Sequence, residues 1–288
     1  DIECPEPLPL IKIEEPTVTV TIGVNTSPFR GQKGSRGTSR MLHARLLKEL
    51  RTNVSLRVEA TSSPDEFLVS GRGELHLGVL IETMRREQFE FQVSKSEPVV
   101  KVVNREIYEP YESLTIDTSE EFIGELSEYL SARLAQLQDM KYDGAGNVRL
   151  EYSIPTRGLL GFSAFFLETV RGNGVEHSVF TDFRLMEGEI KPSVSGVLVA
   201  SENGIAVTNG LLIAQGRGDT FIEPGTPVYI GMIIGKHPRE EDIVINVCKE
   251  KKLTNMRSSN ADITKRLSPA IKYTLEQALA FISSDELV

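Results

Sequence analysis

The chain of 288 residues contains no tryptophan, two cysteines and four histidines. Cys4 and Cys248 lie far apart, so they supply neither a disulfide framework nor the paired spacing of a metal site. His43, His76, His177 and His237 show no H-E-x-x-H or comparable ligand spacing. A phosphate-binding loop of the form G-x-x-x-x-G-K-[ST] is missing; the nearest string, Gly231 to His237, is one residue short, ends in His and carries a strand pattern. No G-x-S-x-G elbow occurs, and neither Cys sits in a nucleophile motif. These absences leave no candidate catalytic residue, cofactor loop or metal set. No apolar run approaches the roughly 18 residues of a membrane span. The opening DIECPEPLPL also lacks the basic-then-apolar layout of a secretory signal, so a cytoplasmic location is the default expectation.

What is present is the composition of a globular protein: 40% hydrophobic, 25% charged, with 23 Gly and 14 Pro. The length predicts two or three domains of roughly 100 residues each. The formal charge of −9 argues against a polyanionic partner, yet its distribution is uneven. From Arg30 to Arg51 seven cations (Arg30, Lys33, Arg36, Arg40, Arg45, Lys48 and Arg51) face one acid, Glu49, for a local net of +6. From Lys249 to Lys272 the local net is +5. Such polarity suits a protein that meets a polyanion at chosen points; the alternative is two solvated surface faces.

Residues 1–16 are proline-rich and read as a linker, the end of a preceding domain. Thr17 to Val24 alternates Thr with Val or Ile, the period of a half-buried strand. A Gly-rich basic loop follows over 28–37. Thr38 or Ser39 is then placed to cap a helix carrying Leu42, Leu46 and Leu50. Strands at 55–60 and 67–72, a helix at 74–87 with Leu77, Leu80, Ile81 and Met84, and a strand through Phe89, Phe91 and Val93 complete a β-α-β-β-α-β order. That order predicts a ferredoxin-like domain over 17–96.

The pattern restarts over 97–190. Strands are expected at 99–103 and 111–117, and Thr118 and Glu121 have capping-box spacing for a helix bearing Ile123, Leu126, Leu130, Leu134 and Leu137. A strand through Val148, Leu150, Tyr152 and Ile154, a short apolar helix over 156–170 and a strand at 179–183 follow. A second ferredoxin-like domain is expected. Beyond it, 191–288 reads as a β-rich domain with strands at 196–200, 205–208, 227–234 and 243–247, a long polar segment from Lys249 to Leu267, and a closing helix over 274–282. The fold class is therefore α+β: two tandem ferredoxin-like domains, then a β-rich domain with a long basic loop. Polar segments of that length inside a folded domain are more often functional than accidental.

The string SGRGELHLGVLIETMRRE, followed by FEFQVSKSEPVV, resembles the third domain of the elongation factor G group of translational GTPases. TVTIGVNTSPF, YSIPTRGLLGF and KEKKLTNMRSSNAD resemble its BipA/TypA branch, and the resemblance runs over essentially the whole chain. It implies the end of a β-barrel second domain, the third domain, the fifth-type domain and a C-terminal domain peculiar to that branch. The GTP-binding domain, with its GTP and Mg, and a basic tail are then expected outside this sequence. The intact family member is expected to be a GTPase acting in translation, ribosome assembly or stress adaptation, while this portion binds without turnover.

Carried onto this sequence, the resemblance implies that the loop 249–266 approaches large-subunit ribosomal RNA and the acceptor end of a tRNA. Its chemistry agrees: Lys249, Lys251, Lys252, Arg257, Lys265 and Arg266 suit phosphates, while Asn255, Ser258, Ser259 and Asn260 suit sugars or base edges. Arg30, Lys33, Arg36 and Arg40 form a second RNA candidate, with a contact to other domains as the alternative. The chain is expected to be a monomer with no membrane partner. A competing reading is a regulatory module whose tandem ferredoxin-like domains bind a metabolite, since fold alone does not decide function.

Overall fold

In the computed structural model the Thr/Val alternation forms β1 (Val18–Val24), with Val18, Val20, Ile22 and Val24 buried on one face. The structure describes residues 15–190, 196–250 and 266–288. By packing, Asp1–Lys191 with Leu275–Val288 form one compact unit, and Pro192–Thr274 form another.

After β1 come α1 (Ser39–Glu49), β2 (Arg57–Ala60), β3 (Glu66–Gly71), α2 (Glu74–Arg86) and β4 (Phe91–Val93). The antiparallel sheet runs β2-β3-β1-β4, and β5 (Glu97–Pro98) joins the same β1 edge. Leu42 and Leu46 of α1 and Leu77, Leu80, Ile81 and Met84 of α2 cover the apolar face. Each fully buried side chain of this kind contributes about 1.5–3 kcal/mol. Thr38 stands at the N-cap of α1 without a side-chain cap; the Ser39 hydroxyl instead donates to the Pro64 carbonyl at 2.6 Å.

The next elements are β6 (Lys101–Val103), β7 (Glu106–Ser119), α3 (Ile123–Ser131), β8 (Gln136–Tyr142), β9 (Asn147–Pro155), α4 (Thr156–Leu159), α5 (Phe162–Thr169) and β10 (Gly174–Leu185). The sheet order β10-β7-β9-β8 repeats the path of the first sheet, with β6 added beside β7. Both are split βαβ, ferredoxin-like sheets.

Several local expectations change. The helix expected to carry Leu134 and Leu137 ends at Ser131, because Leu134 takes a left-handed conformation (φ 65°). Leu134 N–H donates to the Ser131 carbonyl and Ala135 N–H to the Leu130 carbonyl, the paired bonds of a Schellman turn. Leu137 then lies in β8 and is 48% exposed. Thr118 caps no helix; its hydroxyl donates to the Asn173 carbonyl. The apolar helix expected over 156–170 is broken into α4 and α5 at Gly161 (φ 76°). The last strand of this domain, β10, is longer than the 179–183 stretch and carries an irregularity between Phe180 and Asp182.

A buried ion pair ties α4 to the sheet. Arg157 donates to both carboxylate oxygens of Glu109 (2.6 and 3.1 Å) and to the carbonyls of Glu187 and Gly188, and Glu109 is 0% exposed.

The second unit comprises β11 (Val197–Ala200), β12 (Gly204–Ile205), α6 (Thr208–Gln215), β13 (Asp219–Thr220), β14 (Pro227–Val228), β15 (Ile233–Lys236) and β16 (Ile243–Ile245). Its main sheet runs β13-β15-β11-β16, and β12 pairs with β14. Of the strand expected over 205–208, Ile205 lies in β12, while Thr208 opens α6, a helix that periodicity does not announce. Gly210 lets it press on the backbone just after β16, where a Cβ would lie 2.2 Å from the Val247 carbonyl oxygen. The closing helix α7 (Leu275–Phe281) leaves this unit: Leu279 and Ile282 are buried in the core of the first sheet. The tail of the 191–288 segment thus packs with the first unit.

Candidate nucleic-acid interface

Between β1 and α1 the chain makes the basic loop. Asn25 starts it: the Ser27 N–H donates to Asn25 Oδ1 (2.9 Å), and the Ser27 Oγ accepts from Phe29 N–H (3.3 Å). These are the short-range bonds by which Asn and Ser build turns. Thr26 is held through its N–H and hydroxyl to Gln92 Oε1 on β4.

The floor of the loop is made by the end of α2. Gln88 is left-handed (φ 65°), with Gln88 N–H donating to the Arg85 carbonyl and Phe89 N–H to the Met84 carbonyl, a second Schellman turn. This reversal brings Gln88 and Glu90 against the loop. Arg36 N–H donates to the Gln88 carbonyl (3.2 Å), and Glu90 N–H donates to the Arg36 carbonyl (3.0 Å). The Glu90 side chain, in a residue 8% exposed, accepts from Asn25 Nδ2 (2.7 Å), Gly31 N–H (2.8 Å), Lys33 N–H (3.1 Å) and Gly34 N–H (3.1 Å). Burial opposes the charge on Glu90, but the Gly31, Asn25, Lys33 and Gly34 donors outweigh it and hold the carboxyl below the usual carboxylate range.

Arg30, Lys33, Arg36 and Arg40 are all exposed. None of them is in an ion pair among the described residues. The Arg36 guanidinium lies 5.5 Å over the Phe89 ring. Arg45, counted with the same basic stretch, is different: it is paired with Glu87 (2.6 Å) and Glu49 (2.8 Å). Its hydrogen bond holds the Glu87 carboxyl down. The loop therefore presents Arg30, Lys33 and Arg36 with Arg40 in the following turn, and Arg45 serves the fold.

Of the second basic set, Lys249 and Arg266 are exposed; Lys251, Lys252, Asn255, Arg257, Ser258, Asn260 and Lys265 lie outside the described residues. The flanks of that segment are held by α6. Asn209 Nδ2 donates to the Lys249 carbonyl (3.3 Å). Gln215 donates to the Ser268 carbonyl (2.8 Å) and accepts from Ser268 N–H (3.0 Å), a side chain acting as a strand partner.

Residues 231–237 include β15. Gly235 and Lys236 belong to β15 and pair with β11 and β13, so their backbone is committed to the sheet. Among the described residues no group of three His, Cys, Asp or Glu is placed to hold a metal ion. A cavity of about 260 Å³ in the first unit is lined by Glu74, Glu112 and Glu176 among others. Glu74 accepts from Gly161 N–H and Glu112 from the Thr156 hydroxyl. Burial pushes the Glu74 and Glu176 carboxyls up.

Residues 195–288 match the TypA/BipA C-terminal domain, and residues 106–194 match the elongation factor G C-terminus. Over 99% of its length the chain is 49% identical to the large ribosomal subunit assembly factor BipA of Synechocystis sp. PCC 6803. The chain carries a TypA/BipA C-terminal domain beside an elongation factor G C-terminal domain, consistent with the C-terminal portion of a BipA-type protein. Its identity to the protein of that name is 45% in Bacillus subtilis, over 98% of the chain, and 46% in Escherichia coli K12, over 100%. The chain spans about half the length of these relatives, 48%, 46% and 48% respectively. The elongation factor G match begins at Glu106, the first residue of β7. The TypA/BipA match takes in both the second unit and the α7 tail that packs on the first.

Sequence reading missed Glu90, Asn25, Asn209 and Gln215. The signal at Glu90 is faint: one acid between Phe89 and Phe91, beside a strand whose neighbours alternate. The two α6 amides carry no signal, because the helix itself is not evident from the sequence.

Proposed function

We propose that this chain is the ribosomal-RNA-binding portion of a large-subunit assembly factor, and that it carries no reaction of its own. The basic loop supports this reading most directly: Arg30, Lys33 and Arg36 are exposed and in no ion pair among the described residues, on a backbone fixed from below. Unpaired cations on an ordered loop neutralise phosphates without first giving up a carboxylate partner. The segment 249–266, anchored at Lys249 and Ser268, is the second contact. It reaches large-subunit RNA and the acceptor end of a tRNA through Lys251, Lys252, Arg257, Lys265 and Arg266, with Asn255, Ser258 and Asn260 on sugars or base edges. GTP and Mg serve the remainder of the family's chain. The protein acts in the cytoplasm, as a monomer.

Co-sedimentation with ribosomal particles tests this. Charge reversal at Lys251, Lys252 and Arg257, and separately at Arg30, Lys33 and Arg36, is expected to reduce pelleting. Affinity should fall with salt by a slope of about −0.7 to −0.9 per phosphate neutralised. Pelleting indistinguishable from the parent chain would remove the corresponding surface from the proposal.

A further inference from the structure

We infer that Glu90 is the positioning residue of the basic loop: its buried carboxylate gathers the N–H groups of Gly31, Lys33 and Gly34 with the Asn25 amide, and so presents Arg30, Lys33 and Arg36 to phosphates as a fixed set. This rests on the RNA-binding function proposed above.

The geometry assigns the role to one side chain. Oε1 takes Asn25 and Gly31, and Oε2 takes Lys33 and Gly34, so the carboxylate binds both ends of the turn at once. All these partners are donors, so the group suited to them is an acceptor with two charged oxygens. A glutamine presents one oxygen and turns an NH2 toward N–H groups. The backbone pairing of Arg36 with Gln88 and Glu90 closes the loop on the same floor, and Gly34 permits the approach, since a Cβ there would lie 2.7 Å from the Gln88 carbonyl oxygen. Without the carboxylate, three backbone N–H groups are left without their acceptor and the loop leaves its floor. The cations on it then pay ordering entropy on binding.

The consequence for RNA has a sign that plain electrostatics does not share. Removing an acid from under a cationic surface raises the local positive potential and strengthens attraction to RNA. If Glu90 acts by positioning, its removal weakens binding.

The test compares the parent chain with Glu90→Gln, Gly34→Ala and, as an acid removed from an exposed site on β2, Glu59→Gln. Hydrogen exchange at the Gly31, Lys33 and Gly34 amides is read in the free protein, and binding to isolated large ribosomal subunits across a salt series. The expected result is faster exchange at those amides and binding weaker by roughly ten-fold for both Glu90→Gln and Gly34→Ala. The salt slope should be shallower by about 0.7–0.9 for each phosphate that the loop no longer neutralises. Glu59→Gln should bind as the parent or slightly tighter. Gly34→Ala displaces the loop without changing charge, and it decides the matter if Glu90→Gln does not fold.

Unchanged exchange in Glu90→Gln overturns the positioning role whatever the RNA does. Faster exchange with unchanged or tighter binding, while reversal of Arg30, Lys33 and Arg36 still weakens it, overturns the link between loop order and recognition. If that reversal has no effect on the parent chain, the loop does not touch RNA, and the inference falls with the function it rests on.

Discussion

Val288 and Val93 are joined as strand neighbours: Val93 N–H donates to the Val288 carbonyl at 2.9 Å, and Val288 N–H to the Val93 carbonyl at 3.0 Å. The last residue of the chain thus closes an edge of its first sheet, and α7 buries Leu279 and Ile282 in the same core. Leu279→Ala should destabilise the first unit by about 2–5 kcal/mol, the usual range for a buried leucine. Denaturant unfolding followed at a first-unit probe checks this; a loss confined to the second unit would contradict the assignment of α7.

Arg157→Ala should cost more than a surface ion pair. Glu109 is fully buried, and without its guanidinium partner it becomes an uncompensated charge, a loss of about 3–5 kcal/mol. A double substitution, Arg157→Leu with Glu109→Leu, should recover much of that loss. Thermal unfolding of the two variants against the parent chain is the measurement.

His76 supplies a pH dependence with a definite sign. Arg72 N–H donates to its Nδ1 (3.2 Å), and the Asn53 amide lies 2.7 Å from Nε2. Burial, then the nearby Arg72 charge, lower its pKa from 6.5. The folded state therefore binds a proton less readily than the unfolded chain. The contribution of His76 is present above pH 6.5 and is lost as pH falls through the lowered folded value. Unfolding free energies between about pH 8 and pH 5 should decline, and His76→Gln should remove that part of the decline; a slope unchanged by the substitution would contradict it.

Gln215→Ala should release the exit of the basic segment. It removes two bonds to Ser268, a cost of about 1–3 kcal/mol within the second unit. The Ser268 amide should exchange faster, and affinity for large ribosomal subunits should fall. Unchanged exchange at Ser268 would show that the backbone holds its place without the glutamine.

Much of the tandem architecture is legible in the chain's periodicity. Val18, Val20, Ile22 and Val24 alternate, and Leu77, Leu80, Ile81 and Met84 share a helical face, because burial on one side leaves a period in the sequence. The errors fall where a local bond defeats that period. Leu134 continues the spacing of Leu126 and Leu130, but a Schellman turn ends the helix before it. Thr118 and Glu121 have capping-box spacing, yet the threonine hydroxyl finds Asn173 instead.

The cations of the candidate interface are also legible, as charge clustered between Arg30 and Arg51 in an acidic chain. Composition and periodicity alone thus determine the strand and helix order of the first ferredoxin-like domain and where positive charge gathers, but not β8 of the second, which stands where the helix is expected to continue. They do not separate Arg45, consumed by Glu49 and Glu87, from Arg30, Lys33 and Arg36, which are in no ion pair among the described residues. Nor do they reveal that Glu90 lies beneath the loop, or that Val288 closes on Val93. Those are decided by tertiary structure, because a hydrogen bond or ion pair between residues distant in sequence leaves no local period, and its existence depends on which surfaces the packed chain brings together.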